Sequence, residues 1–303
     1  MLYFTLSVLL TVSLYLLMRA FPRYGVQSLH AVLFNYFSCV AMGLMLSEGG
    51  GALTNISWTS TGTLATLALG GVFVVSFLLI GQTTQRAGVT TASLASNLSL
   101  VIPVLFGLFI FKNTNKVFTI FNYLGLLLAV ISVALSAVKK ESGAEARANN
   151  GLIWGLPILL FFVTGTSNTL INYVSSTFYK SDQAALLTTI ACTGSVVCGM
   201  AVLGFRMVVY AEKVHFRSIL GGLLLGVFNF LSFYFLLLTL QSFGNSAAFV
   251  FPIYNISCIL ISSLLAFLLF KETLQPLNKW GLVLAILALS LISYQEIGQA
   301  IVR

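Results

Sequence analysis

Carboxylates are scarce in this chain. Seven Asp and Glu residues stand among 303, and charged residues of both signs make up only 7%. A soluble globular domain carries roughly 25%. The few acids also avoid the apolar runs. Glu48, Glu141, Glu145, Asp182 and Glu212 fall in predicted connections, and Glu272 and Glu296 at the ends of apolar segments. Histidine is limited to His30 and His215. The four cysteines, Cys39, Cys192, Cys198 and Cys258, lie inside apolar runs, form no CxxC pair and have no histidine close by in sequence. That pattern describes small buried hydrophobes, with no metal site expected. A glycine-rich phosphate cradle is missing too, since GGLLLG at 221–226 is wholly apolar. These absences argue against a membrane-embedded enzyme, which needs convergent nucleophiles, acids or metal ligands, and no cofactor is expected. The net charge of +8 comes from basic residues scattered through short loops. Membrane topology accounts for that scatter better than a nucleic-acid partner does.

What remains is hydrophobic: 58% of the residues, in long runs. About 20 such residues cross a hydrocarbon core as a helix, and runs this uniform do not alternate as barrel strands do. The expected fold class is an all-α integral membrane protein. Ten spans are predicted near 2–18, 28–46, 61–81, 88–111, 118–138, 151–173, 184–204, 218–240, 245–270 and 279–297. The first lacks a basic leader, because Arg19 and Arg23 follow it, so it reads as a membrane helix and not as a cleaved signal.

The pattern is written twice. GGVFVVSFLL, SNLSLVIPVLFGLFIFKNT and NYLGLLLAVISVALS in 70–136 are answered by GGLLLGVFNFL, YNISCILISSLLAFLLFKET and NKWGLVLAILALSLI in 221–292. Gly88 and Gly244 are 156 apart, as are Asn122 and Asn278; Asn97 and Asn255 are 158 apart, and Phe111 and Phe270 are 159 apart. Gly70 and Gly71 match Gly221 and Gly222 in this alignment, and Gly222 and Gly226 make a GxxxG expected to allow close helix packing. The polar segment 139–150 separates one five-span half, 1–138, from the other, 151–303. Five is odd, so the second half enters the membrane from the opposite face. The halves are therefore expected to be inverted repeats, an arrangement that places a binding site between them. Eleven of the fifteen Lys and Arg fall in odd-numbered loops. The positive-inside rule puts those loops, 139–150 among them, in the cytoplasm and both termini outside.

Polar residues within such spans must avoid the acyl chains. One cluster is Ser93, Ser96, Asn97 and Ser99, whose repeat partner is Tyr254, Asn255 and Ser257. The paired asparagines offer donors and acceptors that suit zwitterions and hydroxyls. A second is Thr164, Asn168 and Asn172 on one helix face; its counterpart in span one has Thr11, Ser13 and Tyr15. A third is Asn35 and Tyr36 with Asn229, Ser232 and Tyr234. Each is a candidate for lining a substrate cavity, and each also suits simple bridging between helices.

The segments LLFKETL at 268–274 and WGLVLAILALSLI at 280–292, with Glu272 and Gly281 at characteristic places and Pro103 in SLVIPVLFGLF, resemble the drug/metabolite transporter superfamily, specifically its ten-helix EamA-like branch. The first half departs from that pattern, with Lys112 and Asn113 where a glycine-glutamate pair is usual. Many members of that branch hold both termini in the cytoplasm, opposite to the charge count here. The resemblance implies a secondary transporter of a small polar metabolite, an amino acid for example. It would work by alternating access in a bacterial inner membrane, as monomer or homodimer, with a small-molecule substrate and the lipid bilayer as its partners. The alternatives are a proton-coupled multidrug or metabolite exporter and a non-transporting membrane scaffold. The small multidrug members rely on a glutamate in their first helix, and none stands in span one here. Facilitated diffusion or exchange of a neutral or zwitterionic solute is the leading expectation.

Overall fold

A computed structural model describes residues 2–46, 56–109, 119–137, 146–179, 183–243, 247–295 and 298. Their regular structure is entirely helical. The elements are α1 (Leu2–Ala20), α2 (Ser28–Leu46), α3 (Thr61–Arg86), α4 (Val89–Leu98), α5 (Val101–Phe109), α6 (Ile120–Ala137), α7 (Ala146–Phe178), α8 (Ala184–Tyr210), α9 (Phe216–Ser242), α10 (Ala247–Phe270) and α11 (Pro276–Ile292). A 3₁₀ turn, Phe21–Tyr24, follows α1 and ends at Gly25 with φ of 67°. Among the described residues, nine segments are long and apolar enough to cross a membrane, and α11 is a shorter apolar helix. Large apolar side chains such as Leu64, Val197, Val208, Leu264 and Leu268 are exposed, as lipid-facing residues are. These features make the chain an integral membrane protein. Glu48, Lys112, Asn113, Glu141, Glu145, Asp182, Gly244 and Glu296, and most of the connections that hold them, lie outside the described residues.

Several helices outrun their apolar cores. The third reaches Arg86 through the polar run Gln82–Gln85, and the eighth reaches Tyr210. Polar side chains at a span end find backbone partners, so helical bonding continues past the last apolar turn. Gln85 does so by donating Nε2 to the Met18 carbonyl at 2.9 Å. The fourth span, expected as one helix, is broken between α4 and α5. Pro103 has no amide proton, and its ring crowds the carbonyl four residues back, at Ser99. The Ser99 carbonyl instead accepts from the Ile102 N–H at 3.0 Å, and Ser99 Oγ donates to the Ser96 carbonyl at 2.6 Å.

The chain divides into two compact units. The first is Met1–Arg19, Leu79–Thr166 and Ser232–Arg303; the second is Ala20–Leu78 and Ser167–Leu231. Each draws on both sequence halves, so these packed units differ from the two halves expected on either side of 139–150.

In the first unit, α6 and α11 run antiparallel. Asn122 Nδ2 donates to the Ile292 carbonyl at 2.8 Å, and Asn278 Nδ2 donates to the Ser136 carbonyl at 3.3 Å. Gly125 abuts Ala288 and Ile292, and Gly281 abuts Ser132 and Ser136. Each contact maps onto the other by adding 156: 122 to 278, 125 to 281, 132 to 288, 136 to 292. The second unit repeats the rule. A Cβ on Gly226 would meet the Asn35 carbonyl oxygen at 2.1 Å, and one on Gly70 the Ala191 oxygen at 2.5 Å. Both pairs, 70 to 226 and 35 to 191, are again 156 apart. The contacts thus equate Gly70 with Gly226, whereas the sequence pattern equated it with Gly221. Packing depends on which glycine meets a backbone, and the sequence pattern only recorded that glycines were present. Gly222 also packs on α2, against the Ala31 oxygen. The GxxxG of α9 is therefore a close-approach seam.

Gly226→Ala should consequently force α2 and α9 apart and lower the thermal midpoint of the purified protein, at an overpacking cost of about 1–3 kcal/mol. Gly204→Ala, which has no atom within 4 Å of the added carbon, should leave the midpoint unchanged or raise it. Equal midpoints for the two variants would contradict the seam.

Candidate functional site

The first unit gathers polar groups from three helices. On α1, Thr11 and Tyr15 lie four residues apart and so share a face. On α10, Tyr254 and Cys258 have the same spacing, with Asn255 beside them. Helix α4 packs against α10 and contributes Ser93, Ser96 and Asn97. All ten residues of α4 are buried, which is unusual for a segment with three Ser and Asn and two Thr. Apolar packing holds the frame: Val8 and Val12 join Leu236, Val250, Tyr254 and Cys258, while Tyr15 joins Leu94, Ala95, Leu98 and Ile259.

Within that frame, the Thr11 and Tyr254 hydroxyls share a hydrogen bond at 2.5 Å. The Tyr15 phenol lies against the Ser96 and Asn97 side chains and near Cys258. Asn97 Nδ2 donates to the Ser93 carbonyl at 2.7 Å and to Ser93 Oγ at 3.2 Å. Asn255 Nδ2 is buried with no partner, as is Thr90 Oγ1 on α4, and Ser96 Oγ faces the Tyr15 phenol without a well-formed hydrogen bond. A buried group left without a hydrogen bond costs about 1–3 kcal/mol. A water or a polar solute beside Asn255 Nδ2 would remove that cost. Every polar side chain in this group is neutral. The arrangement can exchange hydrogen bonds with an uncharged or zwitterionic molecule but presents no full charge to it.

Other candidates are placed differently. Thr164 of α7 is half-buried in the first unit, and its Oγ1 also lacks a partner. Tyr234 of α9, in the same unit, stacks edge-on with Phe235 at 5.7 Å between centroids. Asn35, Asn168, Asn172 and Asn229 belong to the second unit. Asn229 Nδ2 donates to Asn35 Oδ1 at 3.2 Å, beside the close approach at Gly226, so this pair bridges helices. Asn168 is half-buried and Asn172 is exposed. Thr11 and Tyr15 join the site although their types alone do not mark them. The signal available was their i, i+4 spacing on the face that carries Val8 and Val12.

A separate ionic cluster occupies one end of the second unit. Arg206 Nε donates to Glu212 Oε2 at 2.5 Å, and His30 Nε2 is 3.4 Å from Glu212 Oε1. His30 is fully buried, and neither ring nitrogen has a hydrogen bond. The Arg206 guanidinium also sits 5.7 Å over the Tyr210 ring. It holds the Glu212 carboxyl below the usual carboxylate range.

No family model matches the chain. The chain is similar to an uncharacterized protein of Haemophilus influenzae, with 26% identity over 295 residues, 96% of this chain and 97% of that one. A solved crystal structure aligns over 97% of this chain and 96% of its own, with a TM-score of 0.57 and 14% identity. That likeness concerns the fold alone, and it extends over essentially the whole length of both chains.

A carboxyl held low in the folded protein stabilises it above the ordinary carboxylate range and loses that contribution as pH falls through its depressed value. The gap in thermal midpoint between the native protein and Glu212→Gln should be fully open at neutral pH and close below about pH 4. A gap that is constant down to about pH 3 would show that Arg206 does not favour the ionised form.

Proposed function

We propose that this protein is a secondary transporter that moves a small neutral or zwitterionic metabolite, such as an amino acid, by facilitated diffusion or exchange. It would work by alternating access between two inverted five-span halves of a ten-span bundle. The observation that carries the proposal is the neutral polar group of α1, α4 and α10, in which Asn255 Nδ2 is buried without a partner and Ser96 Oγ faces only the Tyr15 phenol. A scaffold gains nothing from such costs, whereas a carrier recovers them when solute binds. The recurrence of contacts at an offset of 156 in both units supports the inverted-repeat architecture, which in other carriers places substrate near the midplane. The absence of carboxylates from the interiors of the predicted spans supports a neutral or zwitterionic cargo over a cationic drug.

One observation favours proton-linked operation of the same carrier: the buried imidazole of His30, 3.4 Å from Glu212. Under that variant, an imposed pH gradient drives uptake, and His30→Gln abolishes the dependence.

Uptake by proteoliposomes of a panel of amino acids, sugars and nucleosides tests the proposal. At least one solute should enter faster than it enters empty vesicles. Asn97→Ala, Asn255→Ala and Tyr15→Phe should each slow it about tenfold, the worth of one hydrogen bond of about 1.4 kcal/mol. Uptake equal to that of empty vesicles across the panel would sink the transport reading.

A further inference from the structure

The break between α3 and α4 is held from both sides by ions of opposite sign. Helix α3 ends at Arg86 and α4 begins at Val89, with Gly88 between them at φ of 107°. Helix ends leave carbonyls bare at the C-terminus and N–H groups bare at the N-terminus, with partial charges to match. Here Arg19, at the end of α1, donates Nη1 to the carbonyls of Thr84, at 3.1 Å, and Gln85. Glu272, just beyond α10, accepts the N–H of Val89 on Oε2 at 3.0 Å and that of Thr90 on Oε1 at 3.3 Å. The cation meets the negative end of one helix and the anion the positive end of the next. Gln85 closes the ring by donating back to Met18. The fit is tight enough that a Cβ on Gly88 would lie 2.3 Å from Glu272 Oε1.

We propose that Arg19 and Glu272 are positioning residues that clamp the start of α4, the helix bearing Ser93, Ser96 and Asn97, and so keep this end of the first unit closed. The inference rests on the transport reading, in which one end of the bundle must open for solute to leave. The clamp is also one-sided in sequence. In the sequence pattern, the counterpart of Lys271-Glu272-Thr273 is Lys112-Asn113-Thr114, which carries no carboxylate.

Labelling of a single cysteine tests this without any solute. Ala95→Cys, placed in a background with Cys39, Cys192, Cys198 and Cys258 replaced by Ala, reports access to buried α4. A membrane-impermeant methanethiosulfonate is applied to right-side-out and inside-out vesicles. Glu272→Ala and Arg19→Gln should each raise the labelling rate about tenfold from the face carrying residues 86–89, and little from the other. Arg19→Lys, which keeps a cationic donor, should restore slow labelling, and Glu272→Gln, which keeps one acceptor, should fall between. An unchanged rate, or an equal rise from both faces, overturns the clamp. If Glu272→Ala fails to fold, the graded pair Arg19→Lys and Glu272→Gln decides the matter by the same criteria. Uptake of the metabolite panel by vesicles of the unsubstituted protein separates the two ideas. Face-specific labelling without any transport would retain the clamp and remove the transport reading. Normal transport with unchanged labelling would do the reverse.

Discussion

Hydrocarbon offers no hydrogen bonds, and that single constraint explains most of this molecule. A peptide group that is bare in lipid costs several kcal/mol, so the chain must satisfy its own backbone wherever it is buried. Continuous helices do this at no further cost. The revealing places are the breaks. At Ser99 the carbonyl freed by Pro103 finds the Ile102 N–H. At Gly88 the exposed ends of α3 and α4 are met by Arg19 and Glu272, side chains from elsewhere in the chain. Long-range charged contacts in the first unit are concentrated where a helix has to stop.

The second governing feature is close approach. Hydrophobic association is weak between helices that already sit in an apolar medium, and van der Waals contact with interhelical hydrogen bonding takes its place. Gly70, Gly125, Gly222, Gly226 and Gly281 let backbones meet at distances that a methyl group would forbid. Ser132 Oγ then reaches the Gly281 carbonyl at 2.6 Å, and Asn122 and Asn278 reach across the same seam. The offset of 156 that relates these contacts is the same in both units. The packing contacts follow that offset more strictly than the glycine pattern of the sequence does.

Side-chain polar atoms are less completely paired than the backbone, and twelve buried ones among the described residues form no hydrogen bond. Ser96 Oγ and Asn255 Nδ2 lie in the first unit among neutral hydroxyls and amides. His30, in the first turn of α2, lies in the second, beside the Arg206–Glu212 ion pair. The two environments suit different tasks. Neutral groups exchange hydrogen bonds with a solute without a large desolvation cost, while a buried imidazole next to a carboxylate responds to protons.

The membrane class and most helix positions were legible in the sequence, because about 20 apolar residues suffice to define a span whatever surrounds them. The recurring offset of 156 was legible too, as was the polar character of the segments holding Asn97 and Asn255. Which polar residues meet was not. Thr11 and Tyr15 gain their significance from α10 and α4, more than seventy residues away, and Asn35 and Asn229 turned out to bond one another. The role of Glu272 was equally hidden: its place in KET was visible, but its partners, the amides of Val89 and Thr90, lie 182 and 183 residues earlier. Hydrophobicity is a property of each residue in turn, so one-dimensional order determines it. Hydrogen bonds and close contacts depend on distance and direction, which only the folded chain decides.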